Sequence, residues 1–157
     1  MRMLETKIPP PVVALSFALL IWWFADYAPK TEIGFVPKTI VVMLLVIIGV
    51  IFDLSGLANF LRAKTTVNPM KPHNASALVK TGIYRITRNP MYVGLVFVLS
   101  AWCIYLDCPI ALIGVAGFIL YVHTFQILPE ERMLIKLFGD EYREYQARVP
   151  RWLWMTR

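Results

Sequence analysis

The stretch Arg85-Ile-Thr-Arg-Asn-Pro-Met-Tyr-Val-Gly94 joins a basic loop to a strongly apolar run that continues to Ile104. Proline has no backbone N–H, so Pro90 fits the first turn of a helix, where that donor would lack a partner. The stretch therefore predicts a membrane helix that begins at Pro90 or one turn later. A loop that only connects two helices needs no such concentration of arginine, amide, tyrosine and glycine at the water boundary, so the stretch is also a candidate binding site.

Four apolar stretches predict an all-α integral membrane protein. Of the 157 residues, 58% are hydrophobic, which is too high a fraction for a soluble globule of this size. A spanning helix requires roughly 17 to 25 mostly apolar residues. We expect a single domain over residues 1–157, a bundle of four transmembrane helices with a C-terminal cytosolic amphipathic helical segment; three spans and a re-entrant helix are the alternative. The predicted spans cover about residues 11–27, 39–60, 91–106 and 110–128.

Charge placement orients this bundle, because lysine and arginine are retained on the cytoplasmic side of a membrane. Of the 16 basic residues, only Lys30 and Lys38 lie between the first two spans. The turn between the last two spans holds Asp107 and no base. Both termini are therefore expected in the cytoplasm, and the net charge of +6 is expected to meet anionic inner-leaflet lipids rather than nucleic acid.

Several classes of site are disfavoured by missing motifs. The chain has no P-loop and no Gly-x-Gly-x-x-Gly fingerprint, so a nucleotide-like cofactor would have to be held without a Rossmann turn. Cys103 and Cys108 have no histidine nearby, and we expect ordinary packing thiols and no metal site. The N-terminus leads into a full-length span without a clear cleavage site, and is expected to remain as the first helix.

The loop over residues 61–90 is long for a connection between adjacent helices, and such loops often carry function. Apolar pairs flank the turn signal Thr81-Gly82, which predicts an ordered loop. The alternative is an interfacial loop whose Arg85 and Arg88 contact lipid phosphates.

A second polar cluster follows the fourth span at Pro129-Glu130-Glu131. Proline followed by acids also suits an ordinary helix start. If the fourth span continues helically through Pro129, His123, Gln126 and Glu130 share one face. Glu131 then points about 100 degrees away, so the two acids are expected to do different jobs.

Asp53 lies inside the second predicted span. Intramembrane acids are costly and usually face a bundle interior or a cavity, although Asp53 could instead pair with a neighbouring helix. Beyond the fourth span, an apolar face is expected to end at Gly139, and a second short helix at Pro150. These amphipathic helices, over residues 130–149, would either cover a cytosolic pocket or anchor the chain on the membrane.

The segments Leu78–Gly94 and Glu130–Pro150 together resemble the superfamily of isoprenylcysteine carboxyl methyltransferases and phospholipid methyltransferases. The resemblance covers about the C-terminal half of the chain. It implies an integral membrane methyltransferase that binds S-adenosylmethionine between the ends of its last helices. The implied cofactor contacts are Ser76, Ala77, Leu78, Val79, Tyr84, Asn89, Pro90, Met91, Tyr92 and Glu130.

One departure from the family pattern bears on the acceptor. Eukaryotic members place an arginine four residues before the first acid and use it towards the prenylcysteine substrate, whereas this chain has Gln126. An amide cannot neutralise a carboxylate, so an uncharged or cationic acceptor such as an amine or a thiol is favoured. Asn89 also replaces a histidine of the eukaryotic enzymes.

The resemblance thus leads to a predicted S-adenosylmethionine-dependent methyltransferase for a lipophilic, membrane-accessible acceptor, acting by direct in-line transfer. A phospholipid amine N-methyltransferase and a thiol S-methyltransferase are narrower alternatives, and a noncatalytic lipid-binding scaffold is an alternative of another class. His123, Glu131 and Asp53 are candidates to accept a proton, and Gln126 and Arg88 to contact the acceptor.

Overall fold

The computed structural model describes residues 8–32, 34–63 and 77–153, and within these ranges the chain forms helices and turns with no strand. The all-α expectation is therefore confirmed. Five α-helices follow one another along the described chain. They are α1, Pro10–Tyr27; α2, Phe35–Arg62; α3, Pro90–Tyr105; α4, Leu112–Val122; and α5, Leu128–Arg148.

Shorter helical turns connect these helices. One 3₁₀ turn, Gly82–Arg85, precedes α3, and another, Pro109–Ala111, leads into α4. A π-helical turn, His123–Ile127, joins α4 to α5 without a break, so the predicted fourth span and the predicted C-terminal segment form one continuous helix.

Three helical segments are long and apolar enough to cross a membrane, namely α1, α2 and the continuous segment Pro109–Arg148. The apolar α3 has 16 residues, which span about 24 Å, against a hydrocarbon core of about 30 Å. The described chain thus contains three to four apolar helices that can span a membrane, as in an integral membrane protein. Helix α3 begins at Pro90, the earlier of the two predicted starts.

Glycines let α2 and α3 pack closely along their length. A Cβ atom on Gly49 would lie 2.9 Å from the carbonyl oxygen of Gly94, and one on Gly56 would lie 2.8 Å from Met91 Cγ. Real Cβ atoms do not approach other atoms so closely, so only small residues permit this contact. Close packing brings the second half of α2 beside the start of α3.

Helix α1 packs on the other side of α3 and on α4. The indole nitrogen of Trp102 donates a hydrogen bond of 3.1 Å to the Ala18 carbonyl oxygen. The rings of Phe17 and Phe118 meet edge to face, with centroids 5.7 Å apart. The core of the bundle therefore lies between α1, α3 and α4, whereas much of α2 is exposed.

Polar contacts close the bundle at the Tyr105 end of α3. Lys38 Nζ lies 2.7 Å from Asp107 Oδ2, and Lys30 Nζ donates to the Leu106 carbonyl oxygen over 3.2 Å. Lys30, which precedes α2, and Lys38, in the first turn of α2, thus both bond to the turn after α3. That this end faces away from the cytoplasm stays a prediction.

Helix α5 bends sharply at Gly139, whose φ of 54° and ψ of −124° lie outside the helical region. Two helices meet at this kink, as the predicted helix end at Gly139 and the predicted second helix before Pro150 require, and both lie within the range given for α5. The second half returns over the loop before α3, where the Tyr145 hydroxyl donates to the Tyr84 carbonyl oxygen over 2.7 Å. Extended backbone at Val149 then ends α5 before Pro150.

Candidate functional site

A cavity of about 540 Å³ lies where the second half of α2, the start of α3 and α5 meet. The loop over residues 77–84 and the prolines that begin α1 complete its wall. Most of the lining is apolar or aromatic. The polar or titratable side chains in the wall are Asp53, Tyr84, Arg88, Asn89, Tyr92, Glu130, Glu131, Tyr142 and Tyr145.

Tyr92 and Glu130 join α3 to α5 inside this cavity. The Tyr92 hydroxyl donates to Glu130 Oε1 over 2.7 Å, and Gln126 Oε1 is a second acceptor at 3.3 Å. Proline at position 90 and Gly94 let α3 begin beside α2, which directs Tyr92 inward, where it is 6% exposed. The hydrogen bond from Tyr92 therefore holds the Glu130 side chain in place in the cavity wall.

Gln126 has a structural role in addition to its contact with Tyr92. Its amide nitrogen donates to the Ile8 carbonyl oxygen over 2.7 Å, and its side chain is 1% exposed. Gln126 is not among the residues that line the cavity. Gln126, which was predicted to contact the acceptor, thus links the segment before α1 to Tyr92 of α3.

The π-helical turn explains why the expected polar face does not form as predicted. The predicted face requires ideal α-helical spacing from His123 to Glu130, but a π turn inserts an i→i+5 hydrogen bond and shifts the register. Gln126 and Glu130 still meet at Tyr92. His123 is separated from them: it does not line the cavity, and its Nδ1 makes no hydrogen bond within the described ranges.

Glu131 forms an ion cluster with two arginines. Arg151 donates to both carboxylate oxygens, from Nε over 2.9 Å and from Nη2 over 2.6 Å. Arg88 Nη1 lies 3.0 Å from Glu131 Oε1. Hydrogen bonding to Glu131 raises the pKa of Arg151 above its ordinary value. Glu130 and Glu131 therefore have different partners, because Glu130 meets Tyr92 and Glu131 is neutralised by arginines.

The C-terminal segment holds the loop before α3 in place. The Arg88 N–H donates to the Pro150 carbonyl oxygen over 2.9 Å. The Arg151 carbonyl oxygen accepts from the Thr87 hydroxyl over 2.9 Å and from the Asn89 amide over 3.0 Å. The side-chain amide of Asn89 thus donates its hydrogen bond within the chain. Arg151 was not among the predicted site residues, because its position just after the helix-ending Pro150 is the sequence feature that marks it.

Aromatic side chains form one wall of the cavity. Tyr84 packs edge to face on Phe60 with ring centroids 5.4 Å apart, and Tyr142 packs on Tyr145 at 6.0 Å. Burial, with Tyr145 and Glu130 adding to it, raises the pKa of the Tyr84 phenol well above its usual value. Tyr84 therefore stays protonated. Phe60, Tyr142 and Tyr145 were not predicted as site residues.

Most of the predicted residues come together in this cavity. Asp53, Arg88 and Glu131 line it, whereas Gln126 and His123 do not. Ser76 lies outside the described residues. The remaining predicted cofactor contacts all line the cavity, and they are Ala77, Leu78, Val79, Tyr84, Asn89, Pro90, Met91, Tyr92 and Glu130.

The two arginines of the basic loop differ in their surroundings. Arg85 is exposed, whereas Arg88 is 8% exposed and paired with Glu131. Only Arg85 of this pair is therefore available for lipid phosphates on the surface.

The sequence matches a family model described as phospholipid methyltransferase over residues 37–141. The match begins in the first turn of α2 and ends just beyond the bend in α5. It includes the α2 and α3 walls of the cavity and, from α5, the lining residues Glu130, Glu131 and Leu134, and it covers more than half of the 157 residues.

Three curated relatives each match a part of the chain. The chain is 48% identical over 63 residues to an uncharacterized protein of Haemophilus influenzae, a match covering 40% of this chain and 100% of that protein. It is 39% identical over 67 residues to methanethiol S-methyltransferase 1 of Bradyrhizobium diazoefficiens, covering 43% of this chain and 22% of that enzyme. It is 26% identical over 129 residues to protein-S-isoprenylcysteine O-methyltransferase B of Arabidopsis thaliana, covering 82% and 58%.

The matched region thus spans 22% and 58% of the lengths of the two named enzymes. No solved structure gives a significant match. The family assignment rests on the long match through α2, α3 and α5, which agrees with the two motifs that flank α4. This chain belongs to the phospholipid methyltransferase family.

Proposed function

We propose that this protein is a membrane methyltransferase that uses S-adenosylmethionine to methylate a lipophilic acceptor. The observation that carries the proposal is the pairing of Tyr92 with Glu130 beside the buried guanidinium of Arg88, in one cavity formed by the family-matched helices. Two of the relatives above carry methyltransferase names, one with a thiol acceptor and one with a prenylated-protein acceptor, and these names support the reaction class.

The size and walls of the cavity suit the cofactor. Small-molecule sites usually measure roughly 300 to 1,000 Å³ and are lined mainly by apolar and aromatic groups, and this cavity measures about 540 Å³. Tyr84, Met91 and Tyr142 offer flat or polarisable surfaces to an adenine ring.

Two charged groups in the cavity suit the amino-acid end of the cofactor. Arg88 Nε is buried and makes no hydrogen bond within the described part of the chain, so it is a donor in need of an acceptor such as a carboxylate. Glu130 offers carboxylate oxygens to an ammonium or a ribose hydroxyl. The residues present therefore fit the group.

When bound, S-adenosylmethionine supplies a methyl group on a positively charged sulfur. The protein's own contribution is positioning and exclusion of water. The second half of α5 covers the loop before α3 through Tyr145, and the C-terminal segment fixes Thr87 and Asn89 from behind. Rigid walls of this kind hold two reactants in one orientation, which can supply a large part of a rate enhancement.

The proton acceptors predicted from the sequence differ in availability. Both oxygens of Glu131 accept from arginine, and His123 does not line the cavity. Asp53 lines the cavity and has no hydrogen bond or ion pair within residues 8–32, 34–63 and 77–153. Asp53 is therefore the proton acceptor we favour for an acceptor that must lose a proton.

A lipophilic acceptor would enter from the side of the bundle. Leu54 and Leu57 of α2 line the cavity and are 60% and 36% exposed, so this wall faces the surroundings of the bundle. In a membrane those surroundings are acyl chains. With the termini in the cytoplasm, as the charge pattern favours, the loop before α3 would meet the cytosolic cofactor pool.

Titration of the detergent-purified protein with S-adenosylhomocysteine, followed by calorimetry, tests the proposal. We expect saturable binding near one molecule per chain. Glu130→Gln should weaken it by about tenfold or more, the effect of losing a charged hydrogen-bond acceptor.

Glu144→Gln is the matched control, because Glu144 is exposed on α5, forms an ion pair with the exposed Arg148 and does not line the cavity. A folded wild-type protein that binds no S-adenosylhomocysteine, or an equal loss in both variants, would overturn the proposed site. Anionic lipids remain a proposed partner of the basic surface, which includes Arg85.

A further inference from the structure

Asp53 lies on the cavity wall inside α2, a helix long and apolar enough to cross a membrane. Its side chain packs against the backbone of α3, since a Cβ atom on Gly94 would collide with the Asp53 carboxylate. Gly94 follows Pro90 by four residues, about 6 Å along the helix. Asp53 therefore lies about one turn from the end of α3 that borders the loop.

Asp53 has no cationic or hydrogen-bonding partner among the residues that the structure describes. A carboxyl group inside a membrane bundle is costly unless it is paired or serves a function. Gly94 has no side chain to offer it, and its neighbours Leu54 and Leu57 are apolar. Among the described residues, Asp53 is therefore available to a molecule that enters the cavity.

The three acids of the cavity wall differ in their partners. Of the described lining residues, Asp53, Glu130 and Glu131 are acids and Arg88 is the base. Arg88 is shared with Glu131, which Arg151 neutralises as well. Glu130 accepts from the Tyr92 hydroxyl, so Asp53 is the acid of the wall that has neither a cation nor a hydrogen-bond donor among the described residues.

Glu130 and Asp53 lie in different parts of the cavity wall. Glu130 is on α5 and is bonded to Tyr92, near the aromatic residues and Arg88. Asp53 shares α2 with the exposed Leu54 and Leu57. Asp53 is therefore the acid nearer the side through which a lipophilic molecule would enter.

We propose that Asp53 is the specificity residue for the acceptor, binding a lipophilic acceptor that bears a protonated amine and excluding one that bears a carboxylate. This inference rests on the proposed methyltransferase function, because it assigns the acceptor side of the same cavity. The ammonium could belong to a lipid headgroup or to a free amphiphilic amine, and the chemistry recognised by Asp53 is the same.

The test uses the full chain in detergent, saturated with S-adenosylhomocysteine, and three probes of equal chain length: dodecylamine, dodecanol and dodecanoate. Binding is followed as the shift of the thermal unfolding midpoint with probe concentration. Wild type should bind dodecylamine about 10- to 100-fold more tightly than dodecanoate, the range for a charged hydrogen bond. Asp53→Asn should abolish this preference while keeping its affinity for S-adenosylhomocysteine.

Asp26→Asn is the matched control, because Asp26 is an exposed aspartate on α1 that does not line the cavity. It should keep the preference for the amine. Equal binding of amine and carboxylate by wild type, or an unchanged preference in Asp53→Asn, overturns the inference. If wild type binds no S-adenosylhomocysteine, the proposed function fails instead, so the two failures are distinct.

Nanodiscs then separate the two sources of the amine. Discs that contain phosphatidylethanolamine should weaken dodecylamine binding, relative to discs of phosphatidylcholine alone, if a lipid headgroup occupies the site. Competition in wild type that is absent in Asp53→Asn supports the inference with a lipid amine. Tight, Asp53-dependent binding without competition supports it with a free amphiphilic amine.

Discussion

The hydroxyl of Tyr92, in the first turn of α3, donates a 2.7 Å hydrogen bond to Glu130 at the start of α5. These residues are 38 positions apart, and all of α4 and the π-helical turn lie between them. Their contact joins the two sequence motifs in one cavity. The wall that faces them is built by α2, so the site needs helices from the whole bundle.

Tyr92→Phe is expected to destabilise the protein and weaken S-adenosylhomocysteine binding. The change leaves the partly buried Glu130 carboxylate without its hydroxyl donor, which costs about 1–3 kcal/mol. Thermal unfolding and calorimetric titration would measure both effects. Tyr105→Phe is the control, because Tyr105 is 57% exposed and outside this cavity. Equal melting temperatures for both variants would contradict the role given to the Tyr92 hydroxyl.

Arg151→Ala should loosen the loop before α3. It removes the two hydrogen bonds to the buried Glu131 carboxylate and leaves that acid with Arg88 alone, at an expected cost of about 3 kcal/mol. Amide hydrogen exchange of residues 84–89 should become faster. Arg148→Ala removes only an exposed ion pair with Glu144, worth less than about 1 kcal/mol. Unchanged exchange in Arg151→Ala would show that the ion cluster does not hold the loop.

Gly94→Ala should separate α2 from α3 and disturb Asp53. The added Cβ atom would lie 2.7 Å from the Gly49 carbonyl oxygen and would collide with the Asp53 carboxylate, so we expect a loss of about 1–3 kcal/mol. Gly117→Ala is the milder comparison, since its Cβ atom would lie 3.2 Å from Phe17 Cε1, a side-chain atom. A Gly94→Ala protein that melts at or above the temperature of Gly117→Ala would contradict this packing.

Gly139→Ala should weaken the docking of the second half of α5. Gly139 has a φ of 54°, and nothing lies within 4 Å of its ideal Cβ position. Alanine at this position should therefore destabilise the bend through its unfavourable backbone conformation and not through a clash with neighbours, by about 1–3 kcal/mol. We expect faster hydrogen exchange over residues 140–148 and unchanged exchange over residues 128–138. Uniform protection of both halves in the variant would argue against a bend set by glycine.

Much of this architecture could be predicted from the sequence because hydropathy and helix signals are local. Apolar runs of sufficient length placed the membrane helices, and the missing N–H of Pro90 marked the start of α3. The motif residues around Asn89 and Glu130 were predicted to form one site, and they do line one cavity.

The sequence could not reveal the helical register beyond α4 or the long-range partners of charged groups. The π-helical turn shifts the register after His123, and no residue type announces such a turn, because packing against neighbouring helices decides where it forms. Likewise, Gln126 bonds the Ile8 carbonyl oxygen across 118 positions, a contact that no local pattern encodes.

Sequence alone therefore determined that this chain is an all-α membrane protein with two polar motifs beside its helix ends, since burial of apolar runs in lipid depends on composition and length. Tertiary structure decided which acid each arginine neutralises. Glu131 is paired with Arg88 and Arg151, and Asp53 is left facing the cavity, because these distances depend on how helices far apart in sequence pack together.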